Sequence, residues 1–274
     1  MNRTSPAGTR SDRPAAAADV RRRDILGIPV AMVDYDGALA VMERLVQQRE
    51  PGFVCVAPAM SLVVAQDDRL MRRALTEATL TVPDGMPVVW AANRFGERLT
   101  GRVYGPELMD RHCRIAAERG RRIWLYGGRD EQALAELTEA LERRHPGLAI
   151  VGGCSPPHRE LTPAEDRAVA EQIDRARADV VWVGIGVPKQ EHWMLRMRPQ
   201  LEAPVLCGVG AAFDFHAGRV SQAPPWMQRH GLEWAYRIAQ EPRRLLPRYL
   251  RTNPRFALGV TRQYLRERRG PGSP

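Results

Sequence analysis

Residues 184–193 read Gly-Ile-Gly-Val-Pro-Lys-Gln-Glu-His-Trp, directly after the apolar run Val180–Val183. A buried strand ending in a Gly turn, with Pro188 where proline is tolerated at a helix start, puts Lys189, Gln190 and Glu191 on a first helical turn. Open α/β sheets bind ligands there, beyond the carboxyl ends of their strands. Lys189 is the one lysine in the chain; the other 40 basic residues are arginine. A glutamate near a helix N-terminus is favourable on electrostatic grounds alone. A lysine and a glutamine there are less easily explained by stability.

Other strand ends carry similar candidates. Asp84 lies in Val82-Pro83-Asp84-Gly85. Asp-Gly fits a turn, and a carboxylate at a strand tip also fits a general base on a sugar hydroxyl. Gly127-Gly128 follows Trp124-Leu125-Tyr126 and reads either as a turn or as backbone N–H groups offered to a phosphate. Gly208-Val-Gly-Ala-Ala-Phe213-Asp214 opens like a dinucleotide loop, but Phe213 stands where the third glycine belongs. The acidic residue that should follow about twenty positions on is missing as well. An NAD(P)-dependent oxidoreductase is thus the alternative reading, with its fingerprint incomplete. Asp214 between two aromatic residues fits a helix cap or a site.

The C-terminal stretch holds Arg237, Arg244, Arg248, Arg251, Arg255, Arg262 and Arg266, spaced 7, 4, 3, 4, 7 and 4. At about 100° per residue they share one helix face. Pro242, Pro247 and Pro254 predict two or three helices instead of one. Such a stripe is a solvated face or an anion-binding one. Next to an acidic bilayer each arginine contributes on the order of 1 kcal/mol.

Elements that would position these groups alternate along the chain. Strands are expected at Ile25–Val33, Gly52–Ala57, Thr79–Val82, Arg122–Tyr126, Ala149–Gly152, Val180–Val183 and Pro204–Gly208. Helices are expected over Gly37–Gln48, Met60–Glu77, Pro87–Arg94, Pro106–Arg119 and Glu131–Arg143, then from a Thr162/Glu165 capping box to Arg177, and again from Pro188. Repeated βα units predict an α/β fold: a Rossmann-like, mostly parallel sheet with helices on both faces. Strands cease after Gly218. The expected organisation is a disordered basic tail at 1–23, an α/β core at 24–218 and a helical, Arg-rich appendage at 219–274.

The formal charge of +9 sits at the ends. Six Arg and two Asp in residues 1–23 give +4, ten Arg and three Glu in residues 230–274 give +7, and the rest sums to −2. Basic ends on a near-neutral body point to an anionic surface such as phosphate or acidic lipid. A nucleic-acid binder is disfavoured because aromatic and basic residues do not interleave. The four cysteines are scattered without a C-x-x-C pair, which argues for free thiols. No His/Asp metal-ligand spacing stands out, and no apolar run approaches 18 residues. The N-terminus lacks the apolar segment of a signal peptide.

Taken in order, Pro83-Asp84-Gly85, Arg102-Val-Tyr-Gly105, Leu125-Tyr-Gly-Gly128, Gly184-Ile-Gly-Val-Pro-Lys-Gln-Glu191, Gly208-Val-Gly-Ala-Ala-Phe-Asp214, Ala223-Pro224-x-Trp226 and Gly231-Leu-Glu-Trp234-x-Tyr-Arg237-x-x-x-Glu241-Pro242-x-Arg244 resemble the WecG/TagA/CpsF glycosyltransferases, glycosyltransferase family 26. The resemblance covers about residues 25–255. It implies an inverting, metal-independent transfer without a cofactor, from a UDP-sugar to a polyprenyl-diphosphate-linked saccharide, in cell-surface glycopolymer synthesis. It implies a cytoplasmic enzyme, peripheral on the inner face of the cell membrane, and it allows a homo-oligomer. Asp84 matches the family's catalytic base. Gln190 and Asp214 match residues lining the sugar and nucleotide pocket, and Arg102, Gly127, Gly128, Gly186, Lys189 and Glu191 fall in the same motifs. Arg237 and Arg244, with Arg248, Arg251 and Arg255 beyond them, match the segment that meets the lipid diphosphate and the membrane. Where family members often carry Thr-x-Asn after the first core strand, this chain has Ala57-Pro58-Ala59, so a polar substrate contact is missing or moved.

Overall fold

The computed structural model describes residues 17–269, apart from the side chains of Pro225, Arg229 and Arg244. Most of the segment expected to be a tail, residues 1–16, lies outside the described residues. The first strands start earlier than expected and differ in kind. In place of one strand over Ile25–Val33, β1 (Arg22–Ile25) and β2 (Ile28–Ala31) form an antiparallel hairpin. Leu26 and Gly27 turn it with φ of 57° and 78°, the paired positive dihedrals that match the twist of two strands joined by two residues.

The core is a six-stranded, wholly parallel sheet of β3 (Gly52–Ala57), β4 (Leu80–Pro83), β5 (Arg122–Gly127), β6 (Ala149–Cys154), β7 (Val180–Gly184) and β8 (Val205–Gly208), in the order β4-β3-β8-β7-β5-β6. Alternation along each strand feeds two separate cores. Val180, Trp182, Leu125 and Cys207 pack on one face, with α1 (Tyr35–Gln48), α5 (Gly105–Arg119), α6 (Glu131–Arg144) and α9 (Ala212–His216). Val181, Val183, Tyr126 and Leu206 pack on the other, with α2 (Ala59–Asp67), α3 (Arg69–Glu77), α4 (Met86–Arg94), α7 (Pro163–Arg175) and α8 (Lys189–Met197). Helices on both faces of a parallel sheet are the Rossmann-like arrangement.

Two helical expectations need correction. The span Met60–Glu77 is two helices because Asp68 is extended and caps α3, its carboxylate accepting from the Met71 amide at 2.9 Å; a local Asp cap outcompetes helix continuation. At the C-terminus, after α10 (Pro225–Arg229), the arginine stripe spans two helices as expected, α11 (Glu233–Gln240) and α12 (Pro242–Arg269), but the break falls at Pro242 alone and α12 runs unbroken through Pro247 and Pro254. Seven residues apart, these prolines share one face and are exposed, as are Arg243 and Leu250, whose carbonyls lose their amide partners. On the wet side of a helix, carbonyls tilt out toward solvent, which makes such missing bonds tolerable. Phe256 anchors α12 in the second core.

Candidate active site

Strand order makes the cleft. The chain turns back between β3, β8 and β7, and the loops leaving the carboxyl ends of these strands spread apart, as they do at a topological switch point. They enclose a cavity of about 670 Å³ whose lining includes Asp84, Gly128, Gly186, Lys189, Gln190 and Asp214. Six cations (Arg129, Arg159, Lys189, Arg196, Arg237, Arg248) and four carboxylates (Asp84, Glu160, Asp214, Glu241) border it. Its net positive character suits an anionic ligand.

Asp84 leaves β4 at the cavity edge, its amide bonded to the Ala57 carbonyl at 3.2 Å. Burial pushes its carboxyl up to about 6, against the opposing pull of Arg102; Glu233 adds to the rise and Arg237 opposes it. A carboxylate poised there titrates close to neutrality, as a general base must. Arg102 stands beside it but outside the cavity lining. Its guanidinium lies over the Tyr104 ring at 4.1 Å and pairs with Glu233 at 2.5 Å.

On the opposite wall, Lys189 donates to the His158 carbonyl at 3.1 Å and ties the α8 start to the loop after β6. Gln190 is buried and donates through Nε2 to Glu191 Oε1 at 2.9 Å, while its own Oε1 has no partner among the described residues. Glu191 is fully buried behind the lining, and burial raises its carboxyl to about 7. Gly208 leaves room for these side chains: a Cβ there would sit 3.0 Å from Gln190 Nε2 and 2.7 Å from Met194 Cε. The glycine that suggested a dinucleotide loop thus serves packing. Gly127 is likewise behind the lining, with its Cβ position 2.6 Å from the Gly184 backbone. Asp214 on α9 accepts from Arg129 Nε at 3.1 Å. Pro58 and Met60 give the cleft an apolar border where a Thr-x-Asn segment was missing.

The arginine stripe divides. Arg237 and Arg248 border the cavity, and Arg248 donates to the Val187 carbonyl at 3.2 Å. Arg251 is exposed and outside the lining. Arg255 makes two bonds to Asp67, at 2.6 and 3.0 Å. The Arg244 side chain lies outside the described residues. Sequence reasoning missed Arg129, Tyr104 and Glu233. Arg129 directly follows Gly127-Gly128, and a cation after a glycine turn was the available signal. Glu233 stood inside a quoted motif, but nothing local marked it as buried.

Among the described residues no group of three or more His, Cys, Asp or Glu is placed to hold a metal ion, and no helix is long and apolar enough to cross a membrane.

Comparison with known proteins places the chain in a family. An "N-acetylglucosaminyldiphosphoundecaprenol N-acetyl-beta-D-mannosaminyltransferase" of Staphylococcus aureus strain MRSA252 is 29% identical over 231 residues, 81% of this chain and 86% of the relative. The protein of the same name from strain NCTC 8325 / PS 47 has the same identity and coverage. The model of the glycosyl transferase WecG/TagA/CpsF family matches residues 23–270. The chain is a glycosyltransferase and belongs to that family.

Proposed function

We propose that this enzyme moves an N-acetylhexosamine from a UDP-sugar onto a polyprenyl-diphosphate-linked saccharide, by a single inverting displacement and without a metal. The observation that carries the reading is Asp84, a carboxylate held near neutrality at the rim of a cationic cleft. Asp84 takes the proton of the acceptor hydroxyl as that oxygen attacks the anomeric carbon. The bond from the anomeric carbon to the β-phosphate oxygen breaks, and UDP departs as an anion. Fixed cations replace solvent around the developing charge. Arg129 and Lys189 flank the Gly128 and Gly186 turns on the donor side; Arg237 and Arg248 face the acceptor diphosphate. The relatives' names supply the sugar class: an N-acetylmannosaminyl donor and an N-acetylglucosaminyl-diphosphate-lipid acceptor. A panel of UDP-sugars tested with a soluble polyprenyl-diphosphate-GlcNAc analogue should give transfer from a UDP-N-acetylhexosamine, at a rate unchanged by EDTA. Transfer lost with EDTA and restored by a divalent ion would sink the metal-free route.

The C-terminal helices support a peripheral membrane enzyme. Leu246 (42% exposed), Leu250 (67%) and Trp234 (39%) project from α11 and α12 beside the exposed Arg243 and Arg251. Apolar side chains beside arginine suit the boundary of an anionic bilayer. Leu246→Glu and Leu250→Glu should each weaken binding to phosphatidylglycerol-containing vesicles roughly tenfold, since each removes about 1.5 kcal/mol of buried apolar surface. Cosedimentation equal to that of the unaltered protein would remove this surface as the anchor.

A further inference from the structure

The C-terminal helices hold the cation beside Asp84. Arg102 is the cation whose pull on Asp84 is strongest, yet its guanidinium bonds run to the C-terminal helices. Nη1 pairs with Glu233 of α11 at 2.5 Å, and Nη2 donates to Gln228 Oε1 of α10 at 3.1 Å. The Gln228 amide is fixed in turn, donating through Nε2 to the Ala223 carbonyl at 2.7 Å. Arg102 and Glu233 are both largely buried, with side chains 13% and 11% exposed. A charge-assisted pair removed from water is strong, and breaking it leaves an uncompensated charge. The guanidinium carbon also lies over the Tyr104 ring, 4.1 Å from its centroid.

We propose that Glu233 is a positioning residue: by pairing with Arg102 it keeps that guanidinium from neutralising the Asp84 carboxylate, and so makes the strength of the base depend on the docked C-terminal helices. This rests on Asp84 being the base. Groups acting on Asp84 from the surrounding elements are Arg102 and Tyr104 ahead of α5, Glu233 and Arg237 of α11, Tyr249 of α12 and Tyr35 of α1. Of these, Glu233 is the other carboxylate and the one paired with Arg102. Removing its charge acts twice in one direction: a like charge leaves Asp84, and Arg102 is released to pair with it. Both favour the ionised form of Asp84.

In the full-length enzyme, Glu233→Gln should therefore move the acid limb of kcat/KM about one pH unit lower, and the plateau should fall because the base is weaker. UDP affinity by calorimetry should stay within about twofold. Glu233→Asp, which keeps the charge, should return the limb toward its original place. Gln228→Leu, which frees one corner of Arg102, should move it the same way as Glu233→Gln but less. A ¹³C titration of the Asp84 carboxyl in the resting protein reads the same shift without turnover. A limb and a ¹³C midpoint unmoved in folded Glu233→Gln, or moved upward, overturn the proposal. Should Asp84→Asn retain full turnover, the base assignment fails instead, and the ¹³C titration still decides whether Glu233 controls the Arg102–Asp84 coupling.

Discussion

Asp84→Asn is expected to lower kcat by 10²–10⁴-fold, the usual worth of general-base assistance, while UDP binding stays near that of the unaltered enzyme. The unaltered enzyme should lose kcat/KM below about pH 6, where burial places the Asp84 titration, and the variant's residual rate should lack that limb. The same shift fixes a stability signature of opposite sign. A carboxyl raised from 3.8 to about 6 makes the folded state hold its proton more tightly than the unfolded chain does. The stability this gives is fully present below pH 3.8 and is lost as pH rises through about 6. Above pH 6 the folded protein carries the cost of an ionised, desolvated carboxylate, on the order of 1–3 kcal/mol for a shift of this size. Asparagine never ionises. The variant should therefore melt a few degrees higher than the unaltered protein at pH 8 and show no such advantage at pH 4. Low turnover in a more stable protein separates lost chemistry from lost fold. Undiminished kcat would take Asp84 out of the reaction, and a lower melting temperature at pH 8 would show that its charge is satisfied and not strained.

The parallel sheet was legible because a strand buried on both faces must be apolar throughout. Gly52–Ala57 and Val180–Val183 read as short unbroken runs; the first is a strand with those bounds and the second runs one residue further, to Gly184. The strand-end candidates followed, since loops at the carboxyl edge are where such a sheet opens. What the sequence hid depended on tertiary partners. The β1–β2 turn rests on Leu26 adopting a positive φ, which leucine does not advertise. The unbroken α12 rests on both interior prolines falling on the wet side, and only the packing of Phe256 and Leu245 tells which side that is. Glu233 was visible as a letter. Its meaning came from Arg102, 131 positions away (233 − 102) in sequence and 2.5 Å away in space. The arginine spacing reads as one helix face, either solvated or anion-binding. The fold uses it three ways: toward the cleft, toward solvent and, at Arg255, in a bidentate pair with Asp67.

Gly184→Ala is expected to damage both fold and donor site, for one geometric reason. Gly184 ends β7 where the α9 aromatic residue covers it: a Cβ there would lie 2.6, 2.7 and 2.8 Å from three ring carbons of Phe213. β7 is hydrogen-bonded to β5 on one side and β8 on the other, with Gly127 beside Gly184, so it cannot retreat sideways. Phe213 is 4% exposed and packed in the first core; it must give way. Overpacking of this kind costs typically about 1–3 kcal/mol, which lowers Tm by roughly 2–4 °C per kcal/mol in a chain of this size. Phe213 is followed directly by Asp214, whose pair with Arg129 forms one border of the cleft. Pushing the ring outward carries that border with it, and a displacement near 1 Å is enough to cost on the order of tenfold or more in a positioned site. UDP affinity measured by calorimetry should therefore fall together with Tm. The cause can be isolated with a second change. Phe213→Leu opens a void on its own and destabilises, but it also removes the atoms that collide with the new methyl group. The double variant should be more stable than the sum of the two single losses by on the order of 1 kcal/mol, the size of coupling found between residues in contact, and should regain part of the UDP affinity. Strictly additive losses would mean that the methyl group is absorbed elsewhere, and that the close approach of Gly184 to Phe213 does not hold the donor side of the cleft in place.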